Sequence, residues 1–443
     1  MRRLVSFGGS SLIVVSATAG AVLAFAGSLA AQLPVDTAMK LNRVGQWVAA
    51  SSIAREQLSK PGLSGTDRCR VAVSLTYAEH RLSRTAEATV ALRTTDSLCA
   101  ATGDSSSVRE LRALRDEKPA VVSGGAGAVT SAVRAADTFW QLTTAESVGV
   151  SPTALKAHLE LCQRTGADAC LVIRHDKIVQ EWYSSRYAEP MMAMSSTKSV
   201  TGLLITMLRA DGKLHGLDDT VCRYIASWCT GVRGLVTIRQ LMSMTSGLPM
   251  QRADSSVGFV ADKDRFVIGL VPKESPGTTW AYSNEGAQLL SPILDAAAGE
   301  PIQAYAAKRL FGPAGMRNTS LHIDQAGHAW TYAGMYTTAR DFARIGVLAL
   351  HRGNWLGTQV FPEHALDTLT TPQPLNSHYG LLWWLDPEAH AYATHGHLDT
   401  DIHVLPALDL IVVRMQSKPY PGVREGEYER ALLPMLGTFV VSQ

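Results

Sequence analysis

Residues 194–202 of this 443-residue chain read MSSTKSVTG and open an amphipathic segment that ends near Asp211. Its apolar side chains follow the i, i+3, i+4, i+7 spacing of a helix and are Val200, Leu203, Leu204 and Met207. Ser195 and Lys198 are three residues apart, so a helix places both on one face. Positive potential at the helix N-terminus favours an alkoxide at Ser195 and lowers the pKa of Lys198. The pattern predicts a serine nucleophile with a lysine base, and an ordinary helix cap is the other interpretation of Ser195.

A second polar group lies in the run Trp280-Ala281-Tyr282-Ser283-Asn284. The Tyr282 phenol can pass a proton between a serine, a lysine and a leaving group. The Asn284 amide can hold the lysine or a substrate carbonyl. A Tyr and an Asn in a polar turn would be the structural alternative.

Together these residues resemble the serine β-lactamase and penicillin-binding-protein family, whose S-x-x-K signature they contain. The resemblance is to its class C-like branch of esterases, D-aminopeptidases and 6-aminohexanoate-oligomer hydrolases, and it covers about residues 145–440. Further matching segments are Asp211–Leu214, Thr237–Leu241, Met244–Leu248, Phe311–Met316, Gly334–Asp341 and Tyr379–Trp384. The resemblance implies an acyl-enzyme on Ser195, with Lys198 and Tyr282 handling its proton and Asn284 orienting them. It implies no cofactor and no metal.

The family's third motif, Lys-Thr-Gly or a His-x-Gly variant on a strand, has no plain counterpart here. The corresponding stretch is Thr394–Thr400 (THGHLDT), which is similar to the Gly-His-x-Gly-Gln run of some family members. The resemblance therefore assigns Gly396, His397 and Leu398 to a substrate and oxyanion strand, with Ser195 N–H as the other oxyanion donor. Asp399 stands where a glycine is usual. Its charge predicts repulsion of a substrate carboxylate, and hence an ester or linear amide as substrate.

Five other functions remain open from the sequence. The same residues serve a β-lactamase, a D-Ala-directed carboxypeptidase and a D-aminopeptidase equally well. His395, His397 and Asp399 have the spacing of a zinc site in a metal-dependent hydrolase. A catalytically silent binding protein could share the fold. Trp383 and Trp384 are either core residues or walls of an acyl pocket.

The order of strands and helices predicts an α/β (α+β) fold. Ala169–Arg174 and Ile178–Tyr183 form one predicted hairpin, and Asp401–Leu405 and Leu410–Gln416 form another near the C-terminus. The middle, roughly residues 200–375, is mostly helical. We therefore predict an antiparallel sheet built from both chain ends and flanked by helices, with a mostly helical subdomain.

The N-terminal thirty residues predict a secretory signal. Arg2 and Arg3 precede a long uncharged run, and small residues precede Ala31. This predicts an exported chain, periplasmic or secreted, and a membrane anchor is the alternative because the run could span a bilayer. The predicted organisation is a signal at 1–30, an accessory region of unknown role at 31–120, a linker at 121–144 and a hydrolase domain at 145–443.

The cysteine count and the net charge indicate whether the chain contains disulfides and which kind of partner it binds. Six cysteines in an exported chain favour disulfides, and the simplest pairing is 162–170, 222–229 and 69–99, with buried free thiols as the alternative. The net charge is only +2, so no basic stripe exists for nucleic acid. The expected partner is a small-molecule ester or amide, and the oligomeric state is open.

Overall fold

The computed structural model describes residues 47–59, 62–81, 95, 97–99, 139–248 and 256–441. The chain forms two compact units, Met1–Asp116 and Glu117–Gln443. The predicted signal at 1–30 lies outside the described residues, as does most of the predicted linker. Within the part that is described, no helix combines the length and the apolar character needed to cross a membrane.

Two helices pack together in the first unit, α1 (Trp47–Ser59) and α2 (Gly65–Arg81). The Ser64 hydroxyl accepts a backbone N–H in the first turn of α2 at 3.1 Å, which satisfies one donor at the helix start. A small apolar cluster joins the helices and consists of Ala54, Val71 and Leu75. A disulfide links Cys69 to Cys99.

The second unit contains the sheets. Its strands are β1 (Gln141–Leu142), β2 (Ala169–Arg174), β3 (Lys177–Tyr183), β4 (Met191–Met192), β5 (Ser320–Leu321), β6 (Met335–Thr337), β7 (Asn354–Trp355), β8 (Thr358–Gln359), β9 (Trp384–Asp386), β10 (Ala391–Thr394), β11 (Asp401–Leu405) and β12 (Leu410–Met415). The main sheet has seven strands in the order β1-β3-β2-β12-β11-β10-β9. All its neighbours pair antiparallel except β1 and β3.

The helices of the second unit cover the sheet and build the middle of the chain. They are α3 (Pro152–Arg164), α4 (Thr197–Ala210), α5 (Ile238–Met242), α6 (Lys263–Ile268), α7 (Asn284–Ala298), α8 (Ile302–Ala306), α9 (Ala339–Leu350), α10 (Ala365–Leu369) and α11 (Glu427–Leu432). Short 3₁₀ turns are interspersed, among them Met194–Ser196 before α4 and Leu433–Thr438 after α11.

Alternation along the strands sends side chains into two cores. On β12, Ile411 and Val413 join the larger core, whereas Leu410 and Val412 join a smaller one on the other face. Helix α9 packs on the first face, where Gly346 lets it approach closely: a Cβ there would lie 2.8 Å from an Ile411 methyl. Helices α3 and α11 pack on the second face. The site lies where α4, α7 and the end of β10 meet.

The predicted architecture is confirmed. The β2–β3 and β11–β12 hairpins are central in the sheet, and the segments from both chain ends pair through β2 and β12. Two strands of the short sheet β4-β6-β5, namely β5 and β6, and the β7–β8 hairpin lie in the stretch predicted as mostly helical.

The predicted cysteine pairing is also confirmed. Disulfides join Cys162 to Cys170 and Cys222 to Cys229, in addition to the pair in the first unit. The alternative of buried free thiols is therefore wrong, since no cysteine is free.

Candidate active site

Ser195 lies in a tight turn, Ala193–Ser196, which we call the Ser195 turn and which runs directly into α4. Met194 has a left-handed backbone with φ of 51°. The Thr197 hydroxyl donates to the Met194 carbonyl at 2.7 Å and accepts the Met335 N–H at 3.0 Å. The turn is thus fixed both to its own helix and to strand β6.

Lys198 lies one turn later with its side chain buried. Its Nζ atom lies within hydrogen-bond distance of three oxygens: Ser195 Oγ at 2.9 Å, Asn284 Oδ1 at 2.8 Å and the Tyr332 carbonyl at 2.8 Å. A neutral amine can donate its two N–H groups to Asn284 and Tyr332 and keep its lone pair for the Ser195 O–H. The rings of Tyr282 and Tyr332 lie 4.8 and 5.6 Å from Nζ. The amine therefore has a fixed position beside the Ser195 hydroxyl.

Burial shifts the pKa values of both groups at the Ser195 hydroxyl. It lowers the pKa of Lys198 well below its ordinary value, although the Glu285 carboxylate partly opposes this. It also raises the pKa of Tyr282 to about 12, against a hydrogen bond with Ser195 that lowers it. Both shifts favour the neutral form. The two shifts thus favour an amine that can accept a proton and a phenol that can donate one.

Tyr282 and Asn284 flank the start of α7. The Ser283 hydroxyl caps this helix by accepting the Gly286 N–H at 2.9 Å. The cap fixes Asn284 as the first helical residue and leaves Tyr282 just outside, where its ring faces the Lys198 amine. The structure therefore brings all four predicted catalytic residues together: Ser195, Lys198, Tyr282 and Asn284.

Gly396, His397 and Leu398 do not lie on a strand, which corrects the sequence prediction. Strand β10 ends at Thr394, and residues 395–400 form a turn to β11, which we call the β10–β11 turn. The Gly396 N–H donates to Asp401 Oδ1 at 3.0 Å, and the Leu398 N–H donates to Glu425 Oε1 at 3.3 Å. Among the described residues, the His397 N–H has no hydrogen-bond acceptor.

The β10–β11 turn nevertheless contacts the Ser195 turn. A Cβ at Gly396 would lie 2.7 Å from the Ala193 carbonyl oxygen, so only glycine allows this approach. The Ser196 hydroxyl donates to the Thr400 carbonyl at 2.7 Å. The two turns are thus held side by side.

Asp399 does not face the site, so the predicted repulsion of a substrate carboxylate by this residue is wrong. Its carboxylate accepts the backbone N–H groups of Gly426 at 2.8 Å and Tyr428 at 3.2 Å, at the start of α11. The buried Arg414 guanidinium donates to the carbonyls of Leu398 and Asp399. These contacts hold Leu398 and Asp399 in left-handed conformations, with φ of 63° and 53°.

The three residues of the zinc hypothesis do not converge. His395 contacts Asp401 and Glu429, and His397 contacts Glu425, while Asp399 caps α11. In the described part of the chain, two groups have metal-like spacing, and neither includes these residues. One of them, His158 with Cys162 and Cys170, contains a disulfide. The zinc site predicted as an alternative is therefore not formed.

An aromatic wall lies beside Tyr282, and of its residues the sequence analysis had named only Trp384 as a possible pocket wall. The Trp384 ring stacks on the Tyr282 ring with centroids 6.1 Å apart, and Trp280 and Tyr379 contact Trp384 edge-on. Trp383 is fully buried, so one tryptophan of the pair belongs to the core and the other to the site. Tyr332, whose carbonyl holds Lys198, was also missed. The adjacent tryptophans Trp383 and Trp384 were the only sequence pattern that pointed to these aromatic residues.

Comparison with known proteins identifies the family of the chain. The Beta-lactamase family matches residues 153–434, and the chain belongs to that family. It is 22% identical over 300 residues to the 6-aminohexanoate-dimer hydrolase of Paenarthrobacter ureafaciens, covering 59% of this chain and 75% of the relative.

Two solved structures share the fold. The penicillin binding protein from Bacillus halodurans has a TM-score of 0.53 at 17% identity, covering 63% of this chain and 100% of that one. A class C β-lactamase has a TM-score of 0.53 at 16% identity, covering 66% and 97%. The predicted family and fold are confirmed, and the chain is a serine hydrolase of this family.

Proposed function

We propose that the chain hydrolyses small esters or linear amides through an acyl-enzyme on Ser195. The observation that carries this proposal is the pair of contacts at the Ser195 hydroxyl, one with the Lys198 amine and one with the Tyr282 phenol. A serine hydroxyl becomes a nucleophile when an adjacent base can take its proton.

The first step uses Lys198 as the base. The neutral amine takes the Ser195 proton while Oγ forms a bond to the substrate carbonyl carbon, and the carbonyl π electrons move to the oxygen. Asn284 and the Tyr332 carbonyl keep Nζ in place during this transfer. When the tetrahedral intermediate collapses, the Tyr282 phenol donates its proton to the leaving group and recovers one from Lys198. Water then attacks the acyl-enzyme by the same route and releases the acid.

The negative oxygen of the intermediate needs two N–H donors. We assign these to Ser195 and His397, because the neighbouring Gly396 and Leu398 N–H groups already have carboxylate acceptors. Gly396 serves the site by allowing the β10–β11 turn to approach the Ser195 turn. Losing one such donor typically costs about 10²- to 10³-fold in kcat.

The charge of the β10–β11 turn supports a substrate without a carboxylate. No lysine lies between residues 394 and 400. The nearby Arg414 is buried, with its guanidinium bonded to main-chain carbonyls. Glu425, bonded to His397, adds negative charge to the exposed side. The relative whose name gives a 6-aminohexanoate dimer as its substrate supports a linear amide, although that dimer itself ends in a carboxylate.

The test compares two substrates on one preparation. We expect ready hydrolysis of p-nitrophenyl butyrate and little turnover of nitrocefin, with the Ser195→Ala variant as the blank. Nitrocefin hydrolysis at least as efficient as ester hydrolysis would overturn the substrate class in favour of a β-lactamase. No turnover of either above the blank would favour a silent binding protein.

We also propose that the chain is exported and that residues 145–443 form the catalytic domain, beside an accessory region at 31–120. The three disulfides support an oxidising compartment. All four residues at the site fall within the match to the family. An intact mass for a chain starting near Ala31 with no titratable thiol would support export. An uncleaved Met1 with six free thiols would contradict it.

A further inference from the structure

A cavity of 570 Å³ lies beside the site, between the β9–β10 edge of the sheet and the C-terminal helix α11. Pockets for small molecules typically measure about 300–1,000 Å³. Its walls include Trp384 and Ala393 from the strands and Leu433 and Leu436 from the turn after α11.

The cavity shares a wall residue with the catalytic centre. Trp384 lines it, and the same ring stacks on Tyr282, the residue that gives its proton to the leaving group. His395 also lines it, contacts Trp384 edge-on at 5.5 Å, and immediately precedes Gly396. One aromatic ring therefore separates the cavity from the phenol.

The ionisable side chains of the cavity carry an excess of negative charge. Asp386, Glu388 and Glu429 line it, against one imidazole, His395, that carries a proton at neutral pH. Burial lowers the pKa of His395, but the carboxylates of Asp401 and Glu429 outweigh this and raise it to about 10. His395 is therefore paired with Asp401 and Glu429, which leaves Asp386 and Glu388 as the lining carboxylates without an ion-pair partner among the described residues.

The other two histidines in the cavity lining, His403 and His378, do not make the net charge of the lining positive. Burial and the charge of His395 lower the pKa of His403 to about 4, so its imidazole is neutral. His378 also lines the cavity.

His403, which lines the cavity, has a buried ring nitrogen without a partner, and a second such atom lies near it on Asp401, which does not line the cavity. His403 Nε2 and Asp401 Oδ2 lie 4.0 Å apart, and neither has a hydrogen-bond partner among the described residues. A carboxylate oxygen only accepts hydrogen bonds, and a neutral imidazole accepts at one nitrogen. With the Trp384 ring in the wall, these features suit a cation, since aromatic rings attract one.

We propose that this cavity binds an ammonium group on the leaving group of the substrate, so that cationic esters or amides are preferred. The inference rests on the proposed function, because it places the cation relative to the bond that Ser195 attacks. It names a substrate class that the residues around Ser195 alone do not specify.

The test uses two esters of one shape. Butyrylcholine carries a trimethylammonium on its leaving group, and 3,3-dimethylbutyl butyrate replaces that nitrogen with carbon. We expect kcat/KM to be about tenfold higher for butyrylcholine, because the carboxylates that line the cavity attract its cation. The ratio should fall in 1 M salt, where the screening length drops to about 3 Å.

Charge-removing variants locate the effect. Glu388→Gln combined with Asp386→Asn should bring the ratio close to one. Glu160→Gln removes the same charge from an exposed position on α3 and should leave the ratio unchanged.

Binding to the Ser195→Ala variant, measured by calorimetry with the same two esters, gives a readout that needs no turnover. Tighter binding of butyrylcholine that disappears in the double charge variant supports the inference. Equal binding and equal hydrolysis of the two esters would overturn the inference and leave the proposed function intact. Absence of hydrolysis with wild type would overturn the proposed function, and the binding comparison would still decide the cavity.

Discussion

The Ser196 hydroxyl donates a 2.7 Å hydrogen bond to the carbonyl oxygen of Thr400. Ser196 follows Ser195 directly, and Thr400 closes the β10–β11 turn that holds the His397 N–H. One buried hydrogen bond therefore sets the distance between the proposed nucleophile and one proposed oxyanion donor. A misplacement of about 1 Å in such a site can cost about 10²-fold in rate.

Ser196→Ala should therefore lower kcat by about 10- to 100-fold, although the sequence alone predicts a mild effect. Ser199→Ala is the matched control, because the buried Ser199 hydroxyl also donates to a carbonyl at 2.7 Å, that of Leu382. Each variant should lose about 1 kcal/mol of stability in urea unfolding. Equal effects of both variants on kcat would contradict a specific role for the Ser196–Thr400 bond.

Lys198 and Tyr282 should behave as one proton-transfer unit, because both contact the Ser195 hydroxyl. Lys198→Ala and Tyr282→Phe should each lower kcat/KM strongly, and the double variant should be little worse than the poorer single one. The measurement is a complete double-mutant cycle on p-nitrophenyl butyrate. Rate losses that simply multiply would show that the two residues act in separate steps.

The acidic limb of the pH profile should report Lys198, because only its neutral amine can take the serine proton. Asn284→Asp places a carboxylate against Nζ, which raises the pKa of the amine, so the limb of kcat/KM should move to higher pH. Glu285→Gln removes the carboxylate that raises this pKa and should move the limb to lower pH. Shifts of both variants in the same direction would exclude Lys198 as the titrating base.

His395 should contribute to stability in a pH-dependent way. Burial lowers its pKa, but Asp401 and Glu429 raise it from 6.5 to about 10 in the folded chain. The stabilisation is therefore complete below pH 6.5 and is lost as the pH rises towards 10. The difference in the free energy of unfolding between wild type and His395→Gln, measured in urea, should be largest below pH 6.5. A difference that grows with pH would contradict the ion-pair assignment.

Local sequence patterns were sufficient to predict those parts of the site that lie on a single helix or hairpin. The spacing of Ser195 and Lys198 is a property of one helix start, and Tyr282 and Asn284 flank another. The hairpins around β2–β3 and β11–β12 follow from apolar runs with short connections. Each of these features depends on neighbours a few residues away.

Distant contacts explain what the sequence could not predict. The β10–β11 turn takes its shape because Arg414, on β12, holds the carbonyls of Leu398 and Asp399. Asp399 turns away from the site because the start of α11, 27 residues later, offers its N–H groups. The Tyr332 carbonyl reaches Lys198 across 134 residues of sequence. No local pattern encodes such pairings.

Labelling with a fluorophosphonate probe tests the central claim most directly. The phosphorus of the probe forms a covalent bond to an activated serine oxygen with loss of fluoride. We expect one label per chain, located by peptide mass spectrometry on Ser195, absent from Ser195→Ala and strongly slowed in Lys198→Ala. Labelling that persists in Ser195→Ala, or wild-type protein that hydrolyses esters without labelling, would contradict an acyl-enzyme on Ser195.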